Sequence, residues 1–210
     1  VCEANGLRYV MVAGSLLGAV RHGGFIPWDD DFDIAMPRED YEKFMALAPK
    51  ALPEGLYFRC GENDPKYYLP FGKVCRRNTV YRTDIDGEQE NEIFIDVFPL
   101  DHAARADSFI QGIQARLVKA LKAVNIRKAG LTLKSTSGSV KVLSILFKPF
   151  SLKTLMALQT RIMKWNRDAS AAYYVNNGSN YNYRKQTMKK EIYFPAGQLP
   201  FEGVPLLAPA

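Results

Sequence analysis

The sequence holds no stretch of eighteen consecutive apolar residues, so nothing in it has the length and apolarity of a membrane-spanning helix. Cysteine is scarce. Cys2, Cys60 and Cys75 are an odd count without metal-ligand spacing, which argues against a disulfide framework and for buried free thiols. Such thiols suit a reducing cytosol. His22 and His102 are the only histidines, and no Cys-x-x-Cys pair occurs, so a zinc site is not expected. Internal repeats and long linkers are also missing. The first residue is Val1 rather than Met, and the chain is expected to be an internal portion of a longer protein.

What is present is an ordinary globular composition, 47% hydrophobic and 24% charged. The 210 residues suffice for one domain with a helical elaboration. The net charge of +6 conceals a division. Residues 105–190 carry 17 basic and 2 acidic side chains, a net of +15, while the remainder carries 11 basic and 20 acidic, a net of −9. Most basic segments are only solvated faces, but an excess this large points to an anionic partner.

The acidic part centres on residues 12–36, VAGSLLGAVRHGGFIPWDDDFDIAM. An apolar run stops at Gly14-Ser15, a helix-compatible piece covers 16–21, and an acidic strand runs from Asp31 to Ile34. Side chains alternate along a strand, so Asp31 and Asp33 share one face and Phe32 and Ile34 the opposite, buried one. Two adjacent carboxylates repel and call for a cation. Mg²⁺ fits, being commonly shared between one or two carboxylates and a substrate phosphate, with Mn²⁺ as the alternative. Backbone N–H groups at a glycine turn opening a helix suit an anion. Together these make a phosphoryl- or nucleotidyl-transfer site. A calcium loop fits worse, because Ile34 stands where that loop needs Gly and Asp40 where it ends in Glu. On the two aspartates alone, a glycosyltransferase Asp-x-Asp site stays open.

The run GSLLGAVRHGGFIPWDDDFDI resembles the signature of the LicD family, which includes the fukutin-type ribitol-phosphate transferases. Three further pieces resemble that family: FGKVCRRNT around Lys73, IFIDVFPLD around Asp96, and YFPAGQLPFEGV near the end. The likeness is dense over residues 6–101, thin over 103–190, and returns in the last twenty. It implies an α+β fold, a nucleotidyltransferase-like mixed sheet with flanking helices. It also implies a metal-dependent transferase that moves a phosphorylated alcohol, phosphocholine-like, from a CDP-linked donor. The acceptor would be a hydroxyl of a cell-surface glycan such as lipopolysaccharide or teichoic acid. The alternatives are a nucleotidyltransferase with another acceptor and a non-catalytic nucleotide- or glycan-binding module. Nucleic acid is not an expected partner. The expected location is the cytoplasm, with the inner face of the membrane as a peripheral contact for the basic surfaces.

Within that scheme Asp31 and Asp33 are metal ligands. Asp96 interrupts the apolar strand 93–98, where an unpaired carboxylate is costly to bury. It matches the family's third acidic position, completing the metal shell or accepting the proton of the attacking hydroxyl; a salt bridge to an arginine is the alternative. Gly14 and Ser15 bind the diphosphate through backbone N–H groups and the hydroxyl. Arg21 contacts a phosphate oxygen or pairs with Asp29 or Asp30. His22 braces its loop in preference to shuttling a proton. Lys73 contacts phosphate. Trp28 packs, the alternative being to stack on a base or a quaternary ammonium.

Elsewhere, spacing predicts a helix end over 1–5 with Gly6 as its left-handed cap, and strands over 8–13, 56–60, 67–69 and 71–75. Antiparallel pairing is expected among the last three. A helix over 39–48 is closed by Pro49 and Pro53. Residues 84–92, DIDGEQENE, read as a hairpin turn or mobile loop. Helices are expected over 110–124 (capped by Asp107), 140–147 and 152–165 (capped by Ser151). They make 103–190 a basic, mainly helical insertion between a core at 1–102 and its return at 191–210. Residues 173–183 read as a loop near the site and 191–194 as a strand ended by Pro195.

Overall fold

A computed structural model describes residues 1–83, 89–105, 108–131 and 138–210. The first half contains β1 (Val10–Met11), α1 (Ala13–His22), β2 (Asp33–Pro37), α2 (Arg38–Ala51), β3 (Leu56–Arg59), β4 (Gly72–Arg76), β5 (Tyr81–Thr83), β6 (Gln89–Asn91) and β7 (Phe94–Ala103). The second contains α3 (Phe109–Lys128), α4 (Gly138–Leu146), α5 (Leu152–Met163), β8 (Tyr173–Val175), β9 (Thr187–Lys189), α6 (Lys190–Tyr193), β10 (Gly197–Phe201) and β11 (Val204–Ala208).

The fold is α+β, as expected. Five strands run in the order β1-β2-β7-β4-β3, with β2 and β7 parallel and the other pairs antiparallel. β7 is long enough to serve β4 and β8 as well as β2. Its first half pairs with β4, and its last three residues pair with β8, which in turn holds β9. Alternation gives the sheet two faces. One carries Met36, Val97 and Phe58, on which the apolar stripe of α2 (Tyr41, Phe44, Ala48) packs as a buried core. Gly72 is required there, because a Cβ at that position would lie 2.1 Å from the Phe58 ring. The opposite face carries polar residues, bounded by a second cluster of Val10, Ala35, Leu100, Tyr174 and Tyr193. α1 and the β10–β11 hairpin meet over Met11, Ala19 and Phe201. α3 and α5 share a separate core of Val118, Leu121, Ile162 and Met163. No described helix is long and apolar enough to cross a membrane.

Several expected elements differ. β1 is two residues rather than six, because Ala13 takes a φ of 50° and turns the chain directly into α1. Gly14 and Ser15 therefore lie in the first turn of that helix, not before it. Asp31 precedes β2 instead of belonging to it. α2 continues through Pro49, which sits in the last turn after the helix is already anchored by Tyr41, Phe44 and Ala48. Residues 67–69 form no strand; the Tyr67 N–H closes a turn on the Asp64 carbonyl. Residues 191–194 are a helical turn rather than a strand, with the Phe194 N–H on the Lys190 carbonyl. The strand comes after Pro195 as β10, joined to β11 by Glu202-Gly203, both at positive φ as a two-residue hairpin turn needs. Residues 173–175 are β8, and the loop begins only at Asn176.

The left-handed Gly6 cap and the Ser151 cap stand as read, the latter accepting from the Thr154 N–H at 3.1 Å. Asp107 lies outside the described residues, and Ser108 is the cap of α3. The turn at 84–88 also lies outside them; β5 and β6 on either side pair antiparallel.

Candidate functional site

Strand register assembles the site. The parallel β2–β7 pair sets Asp33 beside Asp96, β4 sets Lys73 beside Asp96, and β3 sets Arg59 beside Lys73. A row of two acids and two bases thus crosses four strands on the polar face. Asp31 joins it from the segment before β2. Carboxylate oxygens of Asp31, Asp33 and Asp96 all lie within 4.8 Å of one another.

Local contacts hold the acidic segment in place. The Asp33 N–H donates to the buried Ser15 Oγ at 2.7 Å. The Val12 N–H donates to the Asp33 carbonyl at 3.1 Å, and the Asp96 N–H to the Phe32 carbonyl at 2.8 Å. Phe32 points away from the aspartates, as alternation requires. Its ring lies edge-on to Phe201 at 4.8 Å and to Phe25 at 6.3 Å. The apolar residue between the acids is therefore the anchor that aims them.

The cluster is short of positive charge. Asp33 and Asp96 are each 7% exposed. Burial first, then the charges of Asp31 and Asp96, push the Asp33 carboxyl up to about 7. Burial and the neighbouring Asp29 and Asp30 also raise Asp31. Burial raises Asp96 against the pull of Lys73, whose Nζ lies 2.7 Å from Oδ1. Apart from that ion pair, Asp96 Oδ1 has no hydrogen-bond partner among the described residues. The Lys73 ammonium also sits over the Phe94 ring.

A second lysine escaped the sequence reading. Lys122 on α3 donates to the Gly178 carbonyl at 2.9 Å and to Asn180 Oδ1 at 2.7 Å. Burial pushes its ammonium down to about 8, against the opposing pull of Asp96. In the helical pattern it looks like Lys119, one more base on a polar face. What distinguishes it is a contact segment 56 and 58 residues downstream, which no local pattern shows.

The remaining candidates divide. Gly14 lies close under the acidic segment, since a Cβ there would stand 2.1 Å from Asp29 Oδ2. The N–H groups at the start of a helix have no intrahelical acceptor, so the first turn of α1 offers donors beside the cluster. The Ser15 hydroxyl already accepts from Asp33. Arg21 and His22 lie exposed in the last turn of α1, about 10 Å along its axis from Gly14. Arg21 makes no ion pair with Asp29 or Asp30; the Tyr81 hydroxyl donates to Asp30 instead. Trp28 does not pack. It is 84% exposed, with no element of the described residues covering it.

The fold and this cluster define an α+β protein with a carboxylate-rich site beside a helix N-terminus. Residues 6–119 match the family described as LicD/FKTN/FKRP, nucleotidyltransferase domain, and the chain belongs to that family. It is 34% identical over 104 residues to the lipopolysaccharide cholinephosphotransferase LicD of Haemophilus influenzae, covering 48% of this chain and 38% of that protein. It is 58% identical over 40 residues to the human ribitol 5-phosphate transferase FKRP, covering 19% of this chain and 8% of that protein. A third relative, the uncharacterized protein RT0683 of Rickettsia typhi, is 35% identical over 97 residues, 46% of this chain and 29% of its own length. The matches thus span well under half of each relative.

Proposed function

We propose that the chain is the catalytic portion of a transferase that moves a phosphorylated alcohol from a CDP-linked donor onto a glycan hydroxyl. The observation that carries this reading is the convergence of Asp31, Asp33 and Asp96 within 4.8 Å beside the start of α1, in a member of this family. The names of two relatives, a cholinephosphotransferase and a ribitol 5-phosphate transferase, support the class of group transferred.

Three crowded carboxylates, two of them buried, fit a hard divalent cation, Mg²⁺ or Mn²⁺. Asp31, Asp33 and Asp96 would hold it, and when bound it would offset negative charge on the donor diphosphate. The chain's own groups do the rest. The first-turn N–H groups at Gly14 and Ser15 bind phosphate oxygens, and Lys73 adds a positive charge beside Asp96. Trp28 offers an open ring face to a quaternary ammonium or a base. The glycan hydroxyl oxygen forms a bond to the phosphorus that carries the alcohol, the bond from that phosphorus to CMP breaks, and CMP leaves. In the alternative to metal binding, Asp96 takes the hydroxyl proton. The working division is a core over 1–102, a basic insertion over 103–190 and a return over 191–210, in a cytoplasmic protein that meets its glycan at the inner face of the membrane.

Thermal unfolding with CDP-choline, CDP-ribitol, CDP-glycerol and UDP-glucose, with and without Mg²⁺, tests the reading on wild type and Asp31→Ala/Asp33→Ala. A ligand at a hundred times its Kd stabilises by about 2.7 kcal/mol. A shift confined to one CDP-linked alcohol, requiring both Mg²⁺ and the aspartates, supports the proposal and names the donor. A shift with UDP-glucose alone moves the protein to the glycosyltransferases.

A further inference from the structure

A cleft of about 710 Å³ opens between α3 and residues 176–183, the segment directly after β8. That volume is typical of sites for small organic ligands. Arg116 and Lys119 stand about one turn apart on the α3 wall, both exposed, and neither is ion-paired among the described residues. Lys122 fastens the two walls together through Gly178 and Asn180. No carboxylate among the described residues lines the cleft. Three cations with no counter-charge in the lining call for an anion.

The opposite wall has a different chemistry, rich in Asn and Tyr. Tyr181 is 70% exposed and presents an open ring. Asn177 is 9% exposed, and its amide oxygen has no hydrogen-bond partner among the described residues. Amides both donate and accept, which matches a sugar hydroxyl, and a tyrosine ring covers an apolar C–H face while its hydroxyl stays wet. The donor-type features, Gly14, Trp28 and the acidic turn, all lie in residues 12–31, and none of these residues lines the cleft. Lys122 connects the cleft to the carboxylate cluster, because its Nζ lies 5.8 Å from the Phe71 ring centre and the Nζ of Lys73, paired with Asp96, lies 5.9 Å from the same ring.

We infer that this cleft is the acceptor subsite, and that it takes a sugar bearing a negatively charged substituent, phosphate or carboxylate. The inference rests on the transferase reading, in that the hydroxyl to be modified belongs to the sugar seated here.

The test is a ligand-observed NMR titration with mannose 6-phosphate, glucuronate and glucose, at low and high NaCl. The proteins are wild type, Arg116→Ala/Lys119→Ala and Asp31→Ala/Asp33→Ala. CDP-choline and CDP-ribitol, each with Mg²⁺, are titrated in parallel. The expected result is that at least one anionic sugar binds about tenfold or more tightly than glucose, with the preferred probe identifying phosphate or carboxylate. High salt weakens that binding by a similar factor, as screening requires. The Arg116/Lys119 variant loses the anionic sugar but keeps the CDP-alcohol, and the Asp31/Asp33 variant does the reverse. An Arg116/Lys119 variant that binds anionic sugars like wild type, or that loses the CDP-alcohol, overturns the subsite while leaving the transferase reading intact. Sugar binding that depends on Arg116 and Lys119, with no CDP-alcohol bound by wild type, sinks the transferase reading and leaves an anionic-sugar site. No sugar bound by wild type overturns the inference.

Discussion

Asp33→Asn is expected to make the metal-free protein more stable at pH 8 while abolishing metal-supported donor binding. The Asp33 carboxyl rises from its ordinary 3.8 to about 7 in the folded chain. The folded state therefore holds the proton more tightly than the unfolded state. Stability conferred by that proton is present at acid pH and is lost as pH rises from about 4 to about 7. Each pH unit of difference corresponds to about 1.4 kcal/mol, so the ionised group disfavours the fold by up to about 4 kcal/mol above pH 7. Solvent reach and relaxation of Asp31 reduce this, and a gain of about 2 kcal/mol is the working figure. For a chain of this size that is about 4–8 °C in Tm. Asparagine keeps the shape, and the backbone N–H to Ser15 is untouched. Its new amide donors face two carboxylates that accept them. Differential scanning calorimetry in EDTA at about pH 5 and pH 8 measures the effect, with a gain at the higher pH and under about 2 °C at the lower. Equal gains at both pH values, or a loss at pH 8, would show that buried charge is not what the site works against.

Because the cluster must shed protons to take a cation, millimolar Mg²⁺ is expected to raise Tm more at pH 8 than at pH 5, and not at all in Asp31→Ala/Asp33→Ala; fluorimetric melts decide, and equal shifts would place the ion elsewhere. Ser15→Ala strands the buried Asp33 N–H and is expected to lower stability by about 1–3 kcal/mol in urea unfolding, with a rise in the metal concentration needed for half-maximal effect. Trp28→Ala is expected to change stability by less than about 0.5 kcal/mol while weakening donor binding severalfold; a larger stability loss would mean that the ring packs after all. Arg38→Ala leaves Asp101, 1% exposed, without the two-point contact it makes at 2.7 and 3.1 Å, and should cost about 3–5 kcal/mol by the same unfolding assay.

The parts of the site that were legible are those governed by alternation along one segment. Asp31, Phe32 and Asp33 divide between two faces whether or not Asp31 is counted in the strand, and an acid within the apolar run at Asp96 marks itself. The register that sets Asp96 beside Asp33 and Lys73 is a tertiary fact; family likeness supplied Asp96 as the third acid, and neither likeness nor spacing supplied its pairing with Lys73. Burial of single residues was least legible. Trp28 reads as a packing residue by type, yet whether an aromatic side chain is covered depends on elements far away in sequence. The short run 191–194 fits a strand or a helical turn equally well, and a distant contact, Tyr193 against Tyr174, goes with the helical turn. The two-residue β1 and the start of α1 turn on a single positive φ at Ala13, a residue type that gives no warning of it.

Charge separation along the chain gains a physical sense from the fold. Among the described residues Lys73 pairs with one of these three carboxylates, which leaves a negative excess of two within that group, the amount one divalent cation offsets. That balance covers the aspartates and leaves nothing for the phosphates of a donor. The further positive charge lies in the net +15 segment 105–190, which joins the sheet through β8 and brings Lys122 within electrostatic reach of Asp96. On the proposed transferase reading, an acidic signature without this basic partner would repel an anionic substrate. On the same reading, the basic segment alone would bind anions without holding a cation. Two of the acids, Asp31 and Asp33, stand in one contiguous motif because a strand and its preceding turn suffice to aim them, while Asp96 joins them through the β2–β7 register. Lys73 reaches the acids through strand register, whereas Lys122 comes from a helix outside the sheet, where only tertiary packing brings a cation near them.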